Sequence, residues 1–469
     1  MDLTPIDRSL NTALASSSLQ HFTLPNGLRV WIDSRPQVES ITALLVVRVG
    51  SRYETTTNNG ISHFVEHMVF DGTTRWPTEE EVDDAISHRG GNSNGWTADE
   101  ITAFFVQLAH SEAKLAVEWL SQIVFHPTFP ADKVDKEREI IVQEKVGRNS
   151  RFISVLEALG LGYDLDRQIR RAVFPGSALS LRTIGEDASL DRIARDALLD
   201  HYHTHYLPAN CALIITGRVD VDQLNALVQH YFGAVTATTQ IPAAPVTPPL
   251  PKRGPQRVTV RGPLPTAESE LIIGMRTIEW THPDRWALEV LAEVMEEALI
   301  KAIRFQRGLA YDVHAFTDYF TDTGYFGLTT QCESQHRAEA QRLIEDYFEH
   351  VRQGCLTAEQ VANAQAALIG GHVLEMEDNL KRAEWLAQWA FAPDGWVFPD
   401  FATAIRAVTP GEVQRVLNTY FTPQRRFVGT HQPITTVPQV SHWFGATAGL
   451  SAAVWGLRWL WRRIRGPRG

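Results

Sequence analysis

The sequence predicts an α+β protein of two similar halves, each an α/β sandwich in which helices pack on a mixed or antiparallel sheet. Three observations support this class. A proline-rich stretch at residues 236–256 divides the 469 residues into nearly equal parts. Both parts mix short β-branched or aromatic runs with longer stretches of helical spacing. The order of elements in the first part recurs in the second, which indicates an internal duplication.

The proline-rich stretch has the composition of an extended linker. Its prolines cannot sit together in a helix or a central strand; they are Pro242, Pro245, Pro248, Pro249, Pro251 and Pro255. The predicted organisation is an N-terminal extension (1–19), an N-terminal domain (20–235), the linker, a C-terminal domain (257–435) and a tail (443–469).

Each half contains strand and helix candidates. The strand candidates of the first half are residues 28–33, 43–50, 102–109 and 211–217. Its helix candidates are residues 62–70, 111–125 and 131–149. The strand candidates of the second half are residues 257–262, 270–276, 310–316 and 324–331. Its helix candidates are residues 285–305, 335–352 and 358–390. Hairpin-like strand pairs followed by helices favour an α+β layout over a strict βαβ alternation.

The composition is that of a folded globular protein, with 44% apolar and 21% charged residues. A formal net charge of -11 argues against nucleic acid as a main partner, because phosphate binding needs a basic surface. The three cysteines form no CxxC pair, so neither a disulfide framework nor a sulfur-ligated metal site is expected, and a reducing compartment fits.

The two ends of the chain differ in character. The first residues lack the basic start and apolar core of a secretory signal. Residues 443–461 are apolar and rich in Trp, and a group of arginines follows, namely Arg462, Arg463, Arg465 and Arg468. An in-plane helix on anionic lipid fits this pattern better than a spanning helix; a helix packed on the protein itself or on a partner is the alternative. The expected location is cytoplasmic, or membrane-associated through this tail.

Residues 63–67 read His-Phe-Val-Glu-His, the H-x-x-E-H pattern of the inverted zinc proteases. His63 and His67 are four positions apart, so on a helix their imidazoles share one face and can converge on one ion. Glu66 lies beside that face, where its carboxylate can accept a proton from an attacking water. Ser62 is the expected N-cap of this helix.

A catalytic zinc site needs a third protein ligand. The candidate helix at residues 131–149 carries on one stripe Val134, Glu137, Ile141 and Glu144. Two acids that share a stripe with two branched apolar residues are unexpected if the stripe faces a dry core. Periodicity alone leaves two interpretations open: the acids serve a metal, or they are simply solvated.

With this motif and spacing, the chain resembles the pitrilysin, or insulinase-like, family of zinc metallopeptidases (M16), which includes the mitochondrial processing peptidases. Here 76 residues separate His67 from Glu144, and Glu137 lies seven residues before Glu144, similar to the family's pattern of H-x-x-E-H and two later glutamates. The resemblance implies one zinc ion per chain on His63, His67 and Glu144. It also implies Glu66 as the general base and Glu137 as an outer support of the ligands.

Residues 90–105 resemble the family segment in which an asparagine and an edge strand hold the substrate as an added β-strand. Asn94 matches that asparagine, and Gly95 stands at the position of the usual small residue. Phe104 stands where tyrosine is common, which is a departure. Asn-Gly is also an ordinary turn dipeptide, and this alternative stays open.

Residues 303–313 resemble the family's arginine-tyrosine segment. By this match Arg304 and Tyr311 bind the substrate backbone or stabilise the tetrahedral intermediate, roles that suit a guanidinium and a phenol. Phe305 departs from the family's usual glutamate. In the alternative interpretation Arg304 is a surface helix residue and Gly308 a C-cap before the next strand.

The resemblance extends over residues 20–430 and implies a catalytic N-terminal domain followed by a substrate-binding C-terminal domain. It implies a zinc-dependent endopeptidase that hydrolyses peptides or unfolded segments inside a chamber. Four such halves build a full chamber, so a second chain is expected, in a homodimer or a heterodimer. The second half has no H-x-x-E-H motif, which fits one metal site per chain. The alternative is a non-catalytic peptide-binding or scaffolding subunit of a heterodimeric peptidase.

Overall fold

The computed structural model describes residues 19–146, 164–236, 241–262, 267–392 and 400–435. It confirms the predicted α+β class, with two sheets that are each packed with helices. The predicted C-terminal tail lies outside the described residues, as does nearly all of the predicted N-terminal extension. Within the described ranges, no helix has both the length and the apolar character needed to cross a membrane.

The first sheet belongs to the N-terminal half. Its strands are β1 (Leu19–Thr23), β2 (Arg29–Ser34), β3 (Ser40–Val47), β4 (Asn92–Thr97), β5 (Thr102–Ala109) and β6 (Cys211–Gly217). They lie in the order β1-β2-β6-β3-β5-β4. Strands β2 and β6 are parallel, and the other neighbouring pairs are antiparallel. Strand β4 is therefore an edge strand of this sheet.

The second sheet belongs to the C-terminal half. Its strands are β7 (Gln256–Gly262), β8 (Glu268–Thr277), β9 (Ala310–Tyr319), β10 (Gly324–Glu333) and β11 (Arg426–Pro433). They lie in the order β7-β11-β8-β10-β9, with only β7 and β11 parallel. Without β1, the first sheet has the corresponding order β2-β6-β3-β5-β4. The two halves thus share one topology, as the predicted duplication requires.

The helices of the first half are α1 (Ile61–Met68), α2 (Glu79–Ser87), α3 (Ala113–Phe125), α4 (Val134–Val146), α5 (Leu165–Val173), α6 (Asp187–Leu190), α7 (Arg195–His205) and α8 (Val221–Phe232). The helices of the second half are α9 (Arg285–Leu299), α10 (Arg337–Arg352), α11 (Ala358–Glu375), α12 (Asn379–Trp389), α13 (Phe401–Arg406) and α14 (Pro410–Tyr420). Helix α9 continues into a π-helical turn, Ile300–Phe305.

The prediction of one helix over residues 358–390 is wrong, because the chain breaks between α11 and α12. Asp378 is the N-cap of α12, and its carboxylate accepts the backbone N–H of Lys381 at 2.9 Å. An aspartate in this position favours a helix start over continuation of the preceding helix. The break redirects the chain, so that α12 leaves the C-terminal half.

The two halves exchange one helix each. Helix α12 of the second half packs on the back face of the first sheet, where Leu386 and Trp31 belong to one buried apolar cluster. Helix α5 of the first half packs on the second sheet, where Ile169 and Phe427 belong to another. Each half therefore contributes one helix to the apolar core of the other half.

The described part of the linker, residues 241–255, contains neither helix nor strand and is held by side chains of both halves. The backbone N–H of Thr247 donates to Asp322 Oδ2 at 2.7 Å. Arg52 Nη2 donates to the hydroxyl of Thr247 at 2.7 Å, and Arg276 Nη2 donates to the carbonyl of Pro248 at 2.7 Å. These bonds fix the segment between the two halves.

Helix α1 lies on the front face of the first sheet, opposite α12. Its buried apolar stripe is Ile61, Phe64, Val65 and Met68, the i, i+3, i+4, i+7 spacing of an amphipathic helix. The polar residues of the H-x-x-E-H motif lie off this stripe. Since α4 and β4 also pack against α1, the motif faces these two elements.

Candidate metal centre

The start of α1 is held by a buried carboxylate. Gly60 is the N-cap with φ of 93°, and Ser62 lies inside the helix, so the expectation that Ser62 is the cap is wrong. Glu54 replaces a capping side chain: its Oε2 accepts the backbone N–H of Gly60 at 2.7 Å, and its Oε1 accepts that of Ser62 at 2.9 Å. The negative charge lies at the positive end of the helix, where it is stabilising.

The three predicted ligands are brought together by α1 and α4. The rings of His63 and His67 lie 4.7 Å apart between centroids. Glu144 Oε2 on α4 lies 3.8 Å from His63 Nε2 and 3.4 Å from His67 Nε2. The three potential ligand atoms are all within 4.8 Å of one another.

These donors fit a zinc ion by their chemistry. Two imidazoles and one carboxylate form a known catalytic zinc set that leaves a coordination position open. Burial, together with nearby His67, lowers the pKa of His63 to about 3, so His63 is neutral, which is the form that binds metal. Glu144 is half-exposed at 51% of its side chain, so the cluster is open to solvent on one side.

Glu137 lies behind His67, on the same stripe of α4 as Glu144 and seven residues before it. Its Oε2 is 3.2 Å from His67 Nδ1, and the residue is only 5% exposed. Burial opposes a charge on His67, but the Glu137 hydrogen bond and the Glu66 and Glu144 carboxylates outweigh it and raise the pKa of His67. A proton on Nδ1, shared with Glu137, leaves Nε2 free to face Glu144 and a metal, which is the geometry a supporting residue requires.

Glu66 is buried between α1 and β4. The hydroxyl of Thr97 donates to its Oε2 at 2.7 Å. Burial, and to a lesser extent the Glu144 charge, raises the pKa of Glu66 to about 7. A Cβ on Gly95 would lie 3.2 Å from Glu66 Oε1, so a larger side chain at position 95 would press on the carboxylate. The missing side chain keeps Oε1 accessible from the edge strand.

Replacing Thr97 by valine is expected to raise the pKa of Glu66, because the Thr97 hydrogen bond stabilises the ionised form. The pH profile of Glu66 ionisation, followed by NMR titration of its carboxyl carbon, should move upward by about one unit. A hydrogen bond to a charged group contributes roughly 1.5–3 kcal/mol, and one pKa unit corresponds to about 1.4 kcal/mol. Thr97→Ser keeps the hydroxyl and is the control; equal profiles for both variants would contradict this role.

Asn94 lies in β4, so the segment is a strand and not the turn that the Asn-Gly pair also allows. Gly95 and Thr97 face Glu66, and alternation along the strand therefore directs Asn94 to the opposite face. The Asn94 side chain accepts its neighbour's backbone N–H at 2.8 Å. The structure thus places Asn94 at the sheet edge beside the site. Within the described residues, its side chain makes no hydrogen bond to the three predicted metal ligands.

Arg304 and Tyr311 lie next to each other in the C-terminal half. The Arg304 guanidinium is 5.9 Å from the centre of the Tyr311 ring, and Tyr311 is 88% exposed. Arg304 is the residue before the last of the π-helical turn, and Gly308 with φ of 62° leads into β9. Among the described residues, no hydrogen bond, ion pair or ring contact joins the pair to the three ligands. Their predicted substrate role stays a prediction.

Two residues of the site are not visible in the sequence motifs. Glu54 is one of many acids, and its capping role depends on the short loop between it and Gly60, which folds its carboxylate back onto the start of α1. Thr97 lies two residues after Gly95, and strand alternation is the signal that places its hydroxyl on the same face. A third polar contact supports α1 from behind, where His201 Nε2 lies 3.2 Å from the Ser62 hydroxyl.

Comparison with known proteins places the chain in a family. Residues 29–158 match the model described as Insulinase (Peptidase family M16), and residues 192–368 match that described as Peptidase M16 inactive domain. An uncharacterized zinc protease of Mycobacterium bovis is 30% identical over 389 residues, covering 81% of this chain and 85% of the relative. The mitochondrial-processing peptidase subunit beta of Mus musculus is 24% identical over 428 residues, covering 88% and 84%.

Solved structures share the fold. The crystal structure of a protease from Helicobacter pylori matches with a TM-score of 0.79 and 19% identity, covering 88% of this chain and 99% of that one. A peptidase M16 inactive domain from Pseudomonas fluorescens matches with a TM-score of 0.77 and 15% identity, covering 89% and 98%. These identities support the fold alone, whereas the family models and the 30% identical relative carry the assignment. The chain belongs to the insulinase family of peptidases, peptidase family M16.

Proposed function

We propose that this chain is a zinc-dependent endopeptidase that hydrolyses peptides or unfolded polypeptide segments. The observation that carries the proposal is the convergence of His63, His67 and Glu144 within 4.8 Å beside a buried Glu66. Relatives named zinc proteases support the choice of zinc. The second half lacks the motif, so one zinc ion per chain is proposed.

Glu66 is the proposed general base. A bound zinc ion would act as a Lewis acid that lowers the pKa of the attacking water and polarises the carbonyl of the scissile peptide bond. Glu66 accepts the proton of the attacking water at Oε1, since Thr97 occupies Oε2. The protonated carboxyl then delivers that proton to the leaving nitrogen. A pKa raised to about 7 suits a group that must gain and lose a proton near neutral pH.

The edge strand β4 is the proposed place for the substrate. A peptide added to its free edge would form backbone hydrogen bonds, which bind without strong side-chain selectivity. Because Gly95 on β4 lies next to Glu66 Oε1, a peptide on this edge would pass close to the base. Asn94 lies on the same strand and is proposed to contact the peptide there.

The test is hydrolysis of a mixed quenched-peptide library by the purified protein, with and without a chelator. We expect cleavage that the chelator stops and that added zinc restores. Cleavage that persists after complete removal of metal would contradict the metallopeptidase proposal. The cleaved sequences would also define the preferred residues on either side of the scissile bond.

We further propose that a second M16-like chain completes the site. Arg304 and Tyr311 are on the surface and, within the described ranges, do not contact the metal cluster of their own chain. A relative is a subunit of a processing peptidase, which supports pairing. In a homodimer, each chain would offer this pair to the metal site of the other.

Mixed dimers test this arrangement. Glu66→Gln and Arg304→Ala chains, each of low activity alone, are coexpressed with different tags. If Arg304 serves the partner's site, random mixing should restore about a quarter of the wild-type activity, since half of the dimers then hold one intact site. No recovery, in hybrids verified by both tags, would place Arg304 in the site of its own chain or outside any site.

The alternative is a non-catalytic, peptide-binding or scaffolding subunit of a heterodimer. The match of residues 192–368 to a model described as an inactive domain is compatible with it. Such a subunit has no need of Glu66 and should bind peptides equally well after Glu66→Gln. The presence of all three ligands and a base in one cluster favours the enzyme.

A further inference from the structure

A second group of carboxylates lies beside the proposed zinc site. Asp71 follows α1, Glu79 is the first residue of α2, and Glu137 belongs to α4. One carboxylate oxygen from each lies within 4.8 Å of the other two. Three separate elements thus converge on one point, and Glu137 is the member that also contacts His67.

Two of these side chains are buried with oxygens that have no partner. Asp71 is 2% exposed and Glu137 is 5% exposed. Asp71 Oδ2 and Glu137 Oε1 each lack a hydrogen-bond partner among the described residues. A buried carboxylate oxygen without a hydrogen-bond partner is costly. Two such oxygens in one cluster indicate a site for a bound group that the chain itself does not supply.

The lysines around the cluster compensate only part of its charge. Lys133 Nζ lies 3.6 Å from Asp71 Oδ1 and 3.0 Å from Glu79 Oε2. Lys136 Nζ lies 3.1 Å from the same Glu79 oxygen, at the outer, exposed side. Three carboxylates thus face two ammonium groups, and both ammonium groups approach Glu79. Burial, and then the charge of Glu137, raises the pKa of Asp71 to about 7.

We propose that Asp71, Glu79 and Glu137 bind a hard divalent cation of the Ca²⁺ class, separate from the zinc ion. An all-carboxylate oxygen set favours such a cation over zinc. Ca²⁺–oxygen distances of about 2.3–2.6 Å allow ligand oxygens on opposite sides of the ion to lie about 5 Å apart. The three oxygens, all within 4.8 Å of one another, are therefore close enough to share one Ca²⁺ ion once the Lys133 ammonium group moves aside. Glu79 is half-exposed, which gives access for the ion and for the waters that complete its shell.

Two features define how the site would behave. The Lys133 ammonium group competes with the cation for the carboxylate oxygens, because it already forms ion pairs with Asp71 and Glu79. Glu137 links the sites, since its Oε2 contacts His67 while its Oε1 is free for the cation. Occupancy of the carboxylate site should therefore change the rate at which zinc dissociates.

The test is Ca²⁺ binding to zinc-loaded protein by equilibrium dialysis, which needs no peptidase activity. We expect one Ca²⁺ per chain, an at least tenfold weaker affinity in Glu79→Gln and Asp71→Asn, and a several-fold tighter affinity in Lys133→Met. Glu80→Gln, an exposed neighbour outside the cluster, is the matched control. Because Glu79 is at the surface, its variant should fold even if Asp71→Asn does not.

Three results would overturn the site. They are no Ca²⁺ bound by the zinc-loaded wild type at millimolar concentration, equal affinities in Glu79→Gln and Glu80→Gln, or weaker binding in Lys133→Met. The last result would show that Lys133 supports an ordinary ion-pair cluster and does not stand in for a cation. Repeating the dialysis with Mg²⁺ should give weaker binding, because Mg²⁺ demands oxygens at about 2.0–2.1 Å in near-ideal octahedral geometry.

Discussion

Replacing Glu66 by glutamine is expected to lower kcat/KM for peptide hydrolysis by about 10²–10⁴-fold, the typical contribution of general acid–base catalysis. Glutamine keeps the size of the side chain and can still accept the Thr97 hydrogen bond. It cannot take a proton from water. Zinc content should stay at the wild-type level, since His63, His67 and Glu144 are untouched. Steady-state kinetics and metal analysis on the same preparation measure both quantities.

The matched control for this variant is Glu139→Gln. Glu139 is an exposed glutamate on α4, so its variant makes the same chemical change outside the site and should retain wild-type kinetics. If Glu66→Gln keeps more than a tenth of the wild-type kcat/KM, another group is the base. If it loses its zinc, the loss of activity has a different cause, and the assignment of Glu66 is unsupported.

Replacing His67 by alanine is expected to remove zinc from the purified protein. The variant loses one of three ligands and also leaves Glu137, which is buried against His67, without its partner. The zinc affinity should fall by more than the roughly 10–100-fold typical of losing an outer hydrogen-bonding partner. Competition with a chromophoric chelator measures this affinity.

Two further variants turn this into an ordered series. Glu137→Gln keeps all three ligands and should weaken zinc by about 10–100-fold, less than His67→Ala does. His203→Ala removes an exposed histidine of α7 and should leave the affinity unchanged. A zinc affinity that is the same in His67→Ala and in the wild type would show that the ion binds elsewhere.

The sequence predicts the site better than it predicts the packing around it. The helix α1 follows from its apolar spacing, and the positions of His63 and His67 follow from that helix. The position of Glu144 does not, because periodicity alone is also compatible with a solvated acid. Only the fold brings α4 across α1 and sets Glu144 Oε2 3.4 Å from His67 Nε2.

Tertiary structure decides the features that the patterns missed. Strand β4 reads Asn-Ser-Asn-Gly-Trp-Thr, with no apolar alternation, and its side chains are exposed or only partly buried. The break before α12 depends on a single cap, Asp378, inside a long helical pattern. Glu54 caps α1 from a loop, and neither its burial nor its bonds have a local sequence signal. Asp71 likewise looks like a surface acid until its neighbours are known.

The most direct test of the central claim is zinc titration of metal-free protein with peptide hydrolysis as the readout. Metal is removed with a chelator, zinc is added back in fractions of an equivalent, and hydrolysis of a short quenched peptide is followed at each step. We predict that activity rises in proportion to zinc and stops rising at one equivalent per chain, while Glu66→Gln binds the same equivalent without activity. Hydrolysis by the metal-free protein, or full binding of zinc with no hydrolysis by wild-type dimers, would contradict the account.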